Sequence, residues 1–557
     1  MNPSRIVIVG GVAGGASAAT RARRINGRAR ITLFEKGEHV SFANCGLPYH
    51  IAGRIADRRR LLLASPESLK RSFNIEVKTR HEVVRIDRAA KQVEVLDLGT
   101  GRRFLEPYDT LILSPGAAPI VPPWNGTDCP NVFTLRDLAD MDRIKAHLDA
   151  GGPGRAVVIG AGFIGLEMVE ALVERGLHVA VVELQPQVLP PLDEEMAREV
   201  ESTLRARGVD LRLGASVENL VVGGGRVTGV RLAGGPELPA DLVLISIGVR
   251  PVVQLAVEAG LEIGPAGGIA VNAQLQTSDP SILAVGDAAE TVFGVTGRPT
   301  RIPLAGPANR NGRLAGQFAA SGRAPAARPV LGTAIVGLFG QAAAMTGLSA
   351  KAAARMGLAH DVAYAIRGHH AGYYPGAERM ILKLVYEPVG GRLLGAQAVG
   401  GAGVDKRIDV IATAIQFKGT IDDLAALDLT YAPQFGSAKD PVHIAAFVAC
   451  NQRDGLVRQI APGRPLPPGQ LVDVRNPDEY AAGSLPGAVN IPLPALRERL
   501  DELDRSRPVV VFCQVGERGY NAARILMQAG FADVTNLAGG YRLWNAATGN
   551  QQARPNG

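Results

Sequence analysis

Cysteine is scarce. Cys45, Cys129, Cys450 and Cys513 are the four in 557 residues, and no two form a C-x-x-C pair. That excludes a disulfide-stapled scaffold and leaves each thiol to be judged alone. Clean apolar runs are missing too. The longest, 329–348, is broken by Gly332, Gly337, Gly340 and Gln341 and falls short of the ~20 residues a membrane helix needs. Blocks of like charge are also absent. Lys plus Arg total 60 against 53 Asp plus Glu, a net charge of +7 that is modest for this length. Neither nucleic acid nor a membrane is expected as a partner, and the basic groups at 21–24 and 58–60 read as local anion sites. The opening segment runs into a strand with no charged–apolar–cleavage pattern, so a cytoplasmic, reducing setting is expected. What remains is an ordinary globular balance, 46% hydrophobic and 20% charged, long enough for three to five domains.

One design occurs twice. Residues 5–9 (RIVIV) read as a strand ending at Gly10, followed by a glycine-rich turn, an Ala/Arg-rich helical stretch and a second strand, 31–34, ending at Glu35. The plan recurs at 156–159 (AVVI), 160–165 (GAGFIG), a helical stretch 166–174, and 179–182 before Glu183. Such a unit offers a dinucleotide the free N–H groups of a helix N-terminus, glycines that let the backbone approach, and an acid for the ribose hydroxyls. Gly160, Gly162 and Gly165 match G-x-G-x-x-G in full. Glu183 repels a 2′-phosphate, so NADH is expected over NADPH. The first unit has Gly10, Gly14 and Gly15, with Val12 at the middle fingerprint position and Glu35 well placed. Buried strands are expected at 110–116, ending in Pro115 and Gly116, at 242–248, ending in Gly248, and at 284–287, ending in Gly286 and Asp287. From 330 to 447 the pattern becomes α+β, with strands such as 380–386 before a helix at 405–417. A Pro/Gly-rich stretch, 461–470 (APGRPLPPGQ), reads as a linker to a last compact unit, 471–547.

Residues 1–448 resemble the pyridine nucleotide-disulfide oxidoreductases. The resemblance implies that the first unit binds FAD, the second binds NAD(P)H, and the third domain makes a homodimer. It implies that Asp287 holds the flavin ribitol, that Glu167 lies near the flavin–nicotinamide contact, and that Lys36, Pro115, Gly116 and Gly248 join the cofactor-lining set. No metal is expected. Disulfide reductases of this family carry a C-x4-C pair. Here the string 41–49 is SFANCGLPY, and His50 stands where the second cysteine would be. It is similar to the single-cysteine branch, which includes NADH peroxidase, NADH oxidase and coenzyme A-disulfide reductase, and most of all to the last. Ala13 replaces the histidine of the peroxide-reducing members. A catalytic Cys45 thiolate needs a lowered pKa, expected from a helix N-terminus and phenol donors. The resemblance places coenzyme A against Ser17, Arg21, Arg24, Ser41 and Asn44, matches Lys439 and Asn309 to positions that touch the coenzyme, and leaves Lys70 and Arg71 as weaker contacts for its adenine-side phosphate. Positions 17, 21 and 24 share one helix face. It also implies that Tyr431 and Tyr373 reach the partner subunit's cysteine, with Tyr374 an alternative to Tyr373.

Residues 471–547 resemble a rhodanese domain, with LVDVR at 471–475, GSLPGA at 483–488 and CQVGER at 513–518. Ser484 stands where histidine is usual. Arg518 lies five residues after Cys513, one fewer than in related phosphatases. The tighter loop suits sulfur, and its N–H groups would stabilise a Cys513 thiolate or persulfide. The expected fold is α/β: Rossmann-like FAD (1–115 and 250–325) and NADH (116–249) domains, an α+β dimerisation domain (326–450), a linker (451–470) and a C-terminal rhodanese domain (471–547). The whole resembles coenzyme A-disulfide reductase–rhodanese fusions, also described as NADH-dependent persulfide reductases. Coenzyme A persulfide, coenzyme A disulfide and polysulfide are the expected substrates. An NADH oxidase and a sulfide-sensing module are the alternatives.

Overall fold

The computed structural model describes residues 4–151 and 154–548. They fall into two compact units. One runs to Leu184 and resumes over Arg212–Gly332; the other comprises Gln185–Leu211 and the chain from Thr333.

The first unit holds two parallel sheets of the same plan. In the first sheet the order is Ile282–Ala284, Thr110–Leu113, Arg5–Val9, Arg30–Glu35 and Glu76–Thr79. In the second, His178–Glu183, Arg155–Ile159, Leu242–Ile245 and Val132–Phe133 lie side by side. These strands are covered on both faces, which is why they read as unbroken Ile/Val/Leu runs; Ile6, Ile8, Val157 and Val158 are fully buried. Even the anchoring ion pairs repeat. Arg5 pairs with Asp109 at 2.8 Å, and Arg155 with Asp241 at 3.4 Å. Each half also carries a three-stranded antiparallel sheet, 81–107 in the first and 217–239 in the second. The helix Ala13–Ile25 packs on Ala305–Ser321 at unusually short range. A Cβ at Gly312 would lie 2.2 Å from Gly14 O, and one at Gly316 2.1 Å from Ala18 O. Only glycine lets the two backbones meet.

The second unit contains an antiparallel sheet ordered Ala334–Leu338, Gln341–Gly347, Leu393–Gly400, Arg379–Tyr386 and Asp361–Gly368. The helix Glu194–Ala206 belongs with it. This differs from the expected NADH domain of 116–249. Lys383, on the strand Arg379–Tyr386, is buried between Asp193 (2.8 Å) and Glu195 (2.5 Å), and Tyr364 donates to Glu195 at 2.9 Å. Burial opposes both charges, yet Lys383 is held above and Asp193 below their usual ranges by mutual attraction.

A parallel sheet closes the chain, in the order Arg458–Ile460, Val534–Leu537, Val509–Phe512, Gln470–Asp473 and Val489–Asn490. Arg458–Ile460 pairs with Thr535, Asn536 and Leu537. The expected linker at 451–470 therefore needs correction: its middle is an edge strand of the last domain, whose lower boundary moves from 471 to before 458. Among the described residues, no helix is long and apolar enough to cross a membrane.

Candidate active site

The two glycine turns are built alike. Gly10 (φ +92°) and Gly160 (φ +103°) take a left-handed conformation, and their N–H groups donate to Phe34 O and Val182 O, both at 2.8 Å. A Cβ on Gly15 would lie 1.8 Å from Gly10 O, and one on Gly165 2.1 Å from Gly160 O. The acids are pre-set in the same way. Gly11 N–H donates to Glu35 and Ala161 N–H to Glu183, both at 2.8 Å. Helices Ala13–Ile25 and Phe163–Glu174 start at these turns with no side-chain cap, leaving their first N–H groups for a pyrophosphate. The cradles fit dinucleotides. Val12 departs from the glycine pattern at a negative φ of −93°, where no glycine is required. Gly286 (φ +77°) opens the turn that carries half-buried Asp287, whose carboxyl is pushed up by burial, with Arg136 opposing. Pro115 and Gly116 continue from the strand Thr110–Leu113, exposed Gly248 from its counterpart Leu242–Ile245, and Lys36 is exposed beside Glu35.

Cys45 sits in a single 3-10 turn, Asn44–Gly46, and is exposed. Its sulfur is 3.9 Å from Asn44 Oδ1. Partial burial of the sulfur, then the carboxylates of Glu167 and Asp287, push the thiol up. The expected lowering is thus reversed for the groups this chain places there: the helix that follows, Leu47–Ile51, is only five residues long, and the neighbouring charges are negative. Glu167 is itself raised by burial, with the Tyr49 hydroxyl (3.2 Å) opposing and Glu170 adding. Tyr49 in turn is pushed up to about 12, by burial first and Glu167 second. Tyr49 lay inside the SFANCGLPY string, but nothing local marked it as the partner of an acid 118 residues away. His50 is buried with Nδ1 2.6 Å from Ile55 O, a packing position.

Ser17 and Arg21 project onto one helix face, as their spacing requires. Ser17 donates to Asn309 and Arg21 to Gln317, each at 2.6 Å, and Arg21 Nε is buried with no hydrogen-bond partner. Exposed Arg24 lies over the Phe73 ring at 5.0 Å. Ser41 adopts φ +48°, and its N–H donates to Gly11 O, joining the cysteine segment to the first glycine turn. Asn44, Lys70 and Arg71 are exposed. The basic group at 58–60 is largely satisfied internally, contrary to its reading as an anion site: Arg58 pairs with Asp142 at 2.7 Å and Arg59 with Asp57 at 2.9 Å.

In the second unit, Tyr373 and Tyr431 share a hydroxyl–hydroxyl hydrogen bond of 2.9 Å, and both are exposed. Their loops are tied by Ala371 N–H to Gly436 O (2.9 Å) and by buried Arg407, which pairs with Asp440 and donates to His369 O. Tyr374 instead meets the His370 ring edge-on at 5.6 Å. Lys439 is exposed next to Asp440.

Cys513 follows the strand Val509–Phe512 and is 1% exposed. Gly516 (φ +100°) donates its N–H to the sulfur at 3.2 Å. Arg518 makes two 2.7 Å bonds to Glu479. Arg475 is held by Asp473 and donates to Gln514 Oε1, in the cysteine loop, at 2.9 Å. Ser484 donates to the same Asp473 at 2.7 Å, so it is built into the buried network. Glu479 was missed in the sequence. Its available signal was the N-x-x-E capping box starting at Asn476, whose N–H donates to Glu479.

The chain matches the pyridine nucleotide-disulphide oxidoreductase family over residues 4–312, that family's dimerisation domain over 333–441 and the rhodanese-like domain over 457–547. It belongs to that family. A coenzyme A disulfide reductase of Staphylococcus epidermidis is 34% identical over 448 residues, 80% of this chain and 100% of that protein. The structure of reduced Bacillus anthracis CoADR-RHD is 42% identical with a TM-score of 0.95, covering 100% of both chains. That of an NAD-dependent persulfide reductase from A. fulgidus is 40% identical with a TM-score of 0.92, over 97% of this chain and 100% of the other. The chain is a flavin-dependent pyridine nucleotide-disulfide oxidoreductase with a rhodanese domain. Such an enzyme uses FAD and NAD(P)H.

Proposed function

We propose that this oxidoreductase uses NADH to cleave S–S bonds in persulfides of small thiols such as coenzyme A, in polysulfide and in coenzyme A disulfide. The observation that carries the reading is Cys45: a solitary exposed thiol beside Glu167, from the NADH half, and Asp287, from the flavin half. With no second cysteine in its segment, it can hold one sulfur but cannot form an internal pair. The names of the relatives support the substrate class.

Bound FAD supplies a route for two electrons from NADH to sulfur. The chain does the rest. Gly10, Gly14, Gly15 and Glu35 hold the flavin nucleotide with Asp287 on its ribitol. Gly160, Gly162, Gly165 and Glu183 hold NADH, and the Glu183 carboxylate repels a 2′-phosphate. Ser17, Arg21, Arg24, Ser41, Asn44 and Asn309 cradle the coenzyme. The Cys45 thiolate attacks the outer sulfur of R–S–SH; R–S⁻ leaves and Cys45 carries a persulfide. That persulfide loses its proton to solvent as Cys45–S–S⁻, and two electrons with one proton then release hydrosulfide and restore the thiolate. Tyr373 and Tyr431, offered across a homodimer, donate the proton. Cys513 carries sulfane sulfur as a persulfide.

The test is anaerobic NADH oxidation with coenzyme A persulfide, counting sulfide, in wild type, Cys45→Ser and Cys513→Ser. Sulfide formed in step with NADH and lost in Cys45→Ser is expected. Loss in Cys513→Ser confined to polysulfide donors assigns the rhodanese domain a feeding role. NADH consumed only when air is admitted would sink the reading and leave an oxidase.

A further inference from the structure

Every cation around Cys513 is already matched by a carboxylate. The Arg518 guanidinium interacts with the sulfur, and it is gripped in two places by Glu479, both bonds 2.7 Å. Arg475, which reaches the loop through Gln514, is neutralised by buried Asp473. Glu517, next to Gly516, brings a further negative charge and pairs with Arg367 at 2.7 Å. The described surroundings of the sulfur therefore carry two Arg–carboxylate pairs and one Glu–Arg pair, with no free cation. A dianionic sulfur donor finds no unpaired cation there, whereas a persulfide places at most one charge on its reacting sulfurs.

We propose that Glu479 is a specificity-determining residue: by engaging Arg518 it selects organic persulfides over thiosulfate as donors to Cys513. The inference rests on the sulfur-carrying role of Cys513. With a persulfide the step is Cys513–S⁻ + R–S–S⁻ → Cys513–S–S⁻ + R–S⁻. The thiolate attacks the outer sulfur, the S–S bond breaks, and the organic thiolate leaves with the electron pair. With thiosulfate the same attack expels sulfite, Cys513–S⁻ + S₂O₃²⁻ → Cys513–S–S⁻ + SO₃²⁻. That leaving group carries two charges past Glu479 and Glu517. Releasing Arg518 from Glu479 turns it toward the departing oxyanion, an interaction that planar guanidinium makes in bidentate form.

The experiment measures sulfur transfer to cyanide from thiosulfate and from glutathione persulfide, using the full-length flavoprotein. Wild type, Glu479→Gln, the double variant Glu479→Gln/Arg518→Gln and Cys513→Ser are compared. Wild type is expected to favour the persulfide. Glu479→Gln is expected to raise kcat/KM for thiosulfate by about tenfold or more, chiefly through KM, the scale of one charge-assisted contact. The double variant removes a neutral pair and is expected to return to wild-type selectivity, which separates charge from folding; if Glu479→Gln does not fold, a tenfold change of selectivity in the double variant overturns the proposal. Equal use of both donors by wild type, or an unchanged donor ratio in Glu479→Gln, also overturns it while leaving Cys513 a sulfur carrier. Transfer from neither donor, or transfer that survives in Cys513→Ser, refutes the carrier role itself and the proposal with it.

Discussion

Three single-methyl substitutions dissect the nucleotide turns. Gly15→Ala puts a Cβ 1.8 Å from Gly10 O, more than an ångström inside the 3.0 Å that real Cβ contacts keep. The turn and the start of the helix Ala13–Ile25 must part to admit it. Overpacking of this kind costs about 1–3 kcal/mol. Charged to the cradle alone, that is a roughly 5- to 150-fold loss of flavin affinity, since about 1.4 kcal/mol is tenfold. Gly165→Ala meets Gly160 O at 2.1 Å and transfers the same penalty to NADH, with flavin retained. Gly162→Ala is the decisive control. Its φ is −78° and its new Cβ meets no protein atom within 4 Å, so the apoprotein has no reason to lose stability. Any rise in the NADH KM must then come from the nucleotide itself approaching that backbone. The assay is flavin content after equilibrium dialysis, NADH KM by steady-state turnover, and Tm for each variant. Wild-type flavin content in Gly15→Ala together with a wild-type NADH KM in Gly162→Ala would refute the assignment of these turns to the pyrophosphates.

Glu167→Gln removes a carboxylate that raises the Cys45 thiol, so the inflection in the pH dependence of Cys45 alkylation in flavin-free protein is expected to move to lower pH; an inflection that stays or rises counts against the contact. Tyr431→Phe breaks the 2.9 Å bond to Tyr373 at an exposed site, so stability should change by no more than about 0.5 kcal/mol. Sulfide release should fall about 10²-fold if the pair donates the proton, as single-turnover kinetics would report. Lys383→Met strands Asp193 and Glu195 in the core and should cost about 3–5 kcal/mol in urea unfolding at neutral pH. The Asp193 carboxyl is held below its unfolded value in the wild type, so its stabilising share is present above the unfolded pKa and lost as pH falls through the folded one. The wild type–variant gap should therefore narrow in acid; a constant gap would show that the ion pair is not its source.

The duplicated nucleotide design was legible because each of its parts is local. Unbroken apolar runs such as RIVIV and AVVI mark buried parallel strands, and glycines a few residues apart mark turns that no side chain can enter. The single-cysteine string and the CQVGER loop were legible for the same reason. Features that failed depend on partners far away in sequence. Helix Glu194–Ala206 was assigned to the NADH domain because it follows that domain's strands; the residue that draws it to the other unit, Lys383, lies 188 positions from Glu195. Arg458–Ile460 was lost in the expected linker 451–470 because three residues carry no periodicity, and its pairing partner, Val534–Leu537, comes late in the chain. The surroundings of Cys45 misled for a subtler reason. Glu167 looked like a nicotinamide-side residue, and only the fold brings it and Asp287 to one sulfur, where both oppose the thiolate.

That opposition gives the two cysteines different aptitudes. A thiolate destabilised by neighbouring carboxylates is intrinsically a stronger nucleophile and a poorer leaving group, with rate following basicity at a Brønsted slope of about 0.4–0.5. Cys45 is such a group, suited to pulling a sulfane sulfur from a carrier. Cys513 is placed oppositely. Gly516 N–H donates to its sulfur at 3.2 Å, which offsets charge left behind on that sulfur. That donor favours departure of the Cys513 sulfur from its own persulfide. Within the proposed function, sulfur handed from Cys513 to a small thiol and then to Cys45 ends on a thiol whose thiolate is the stronger nucleophile. Reduction at Cys45 makes the last step irreversible by removing the sulfur as hydrosulfide. Within that route the chemistry at Cys45 sets the direction of sulfur flow.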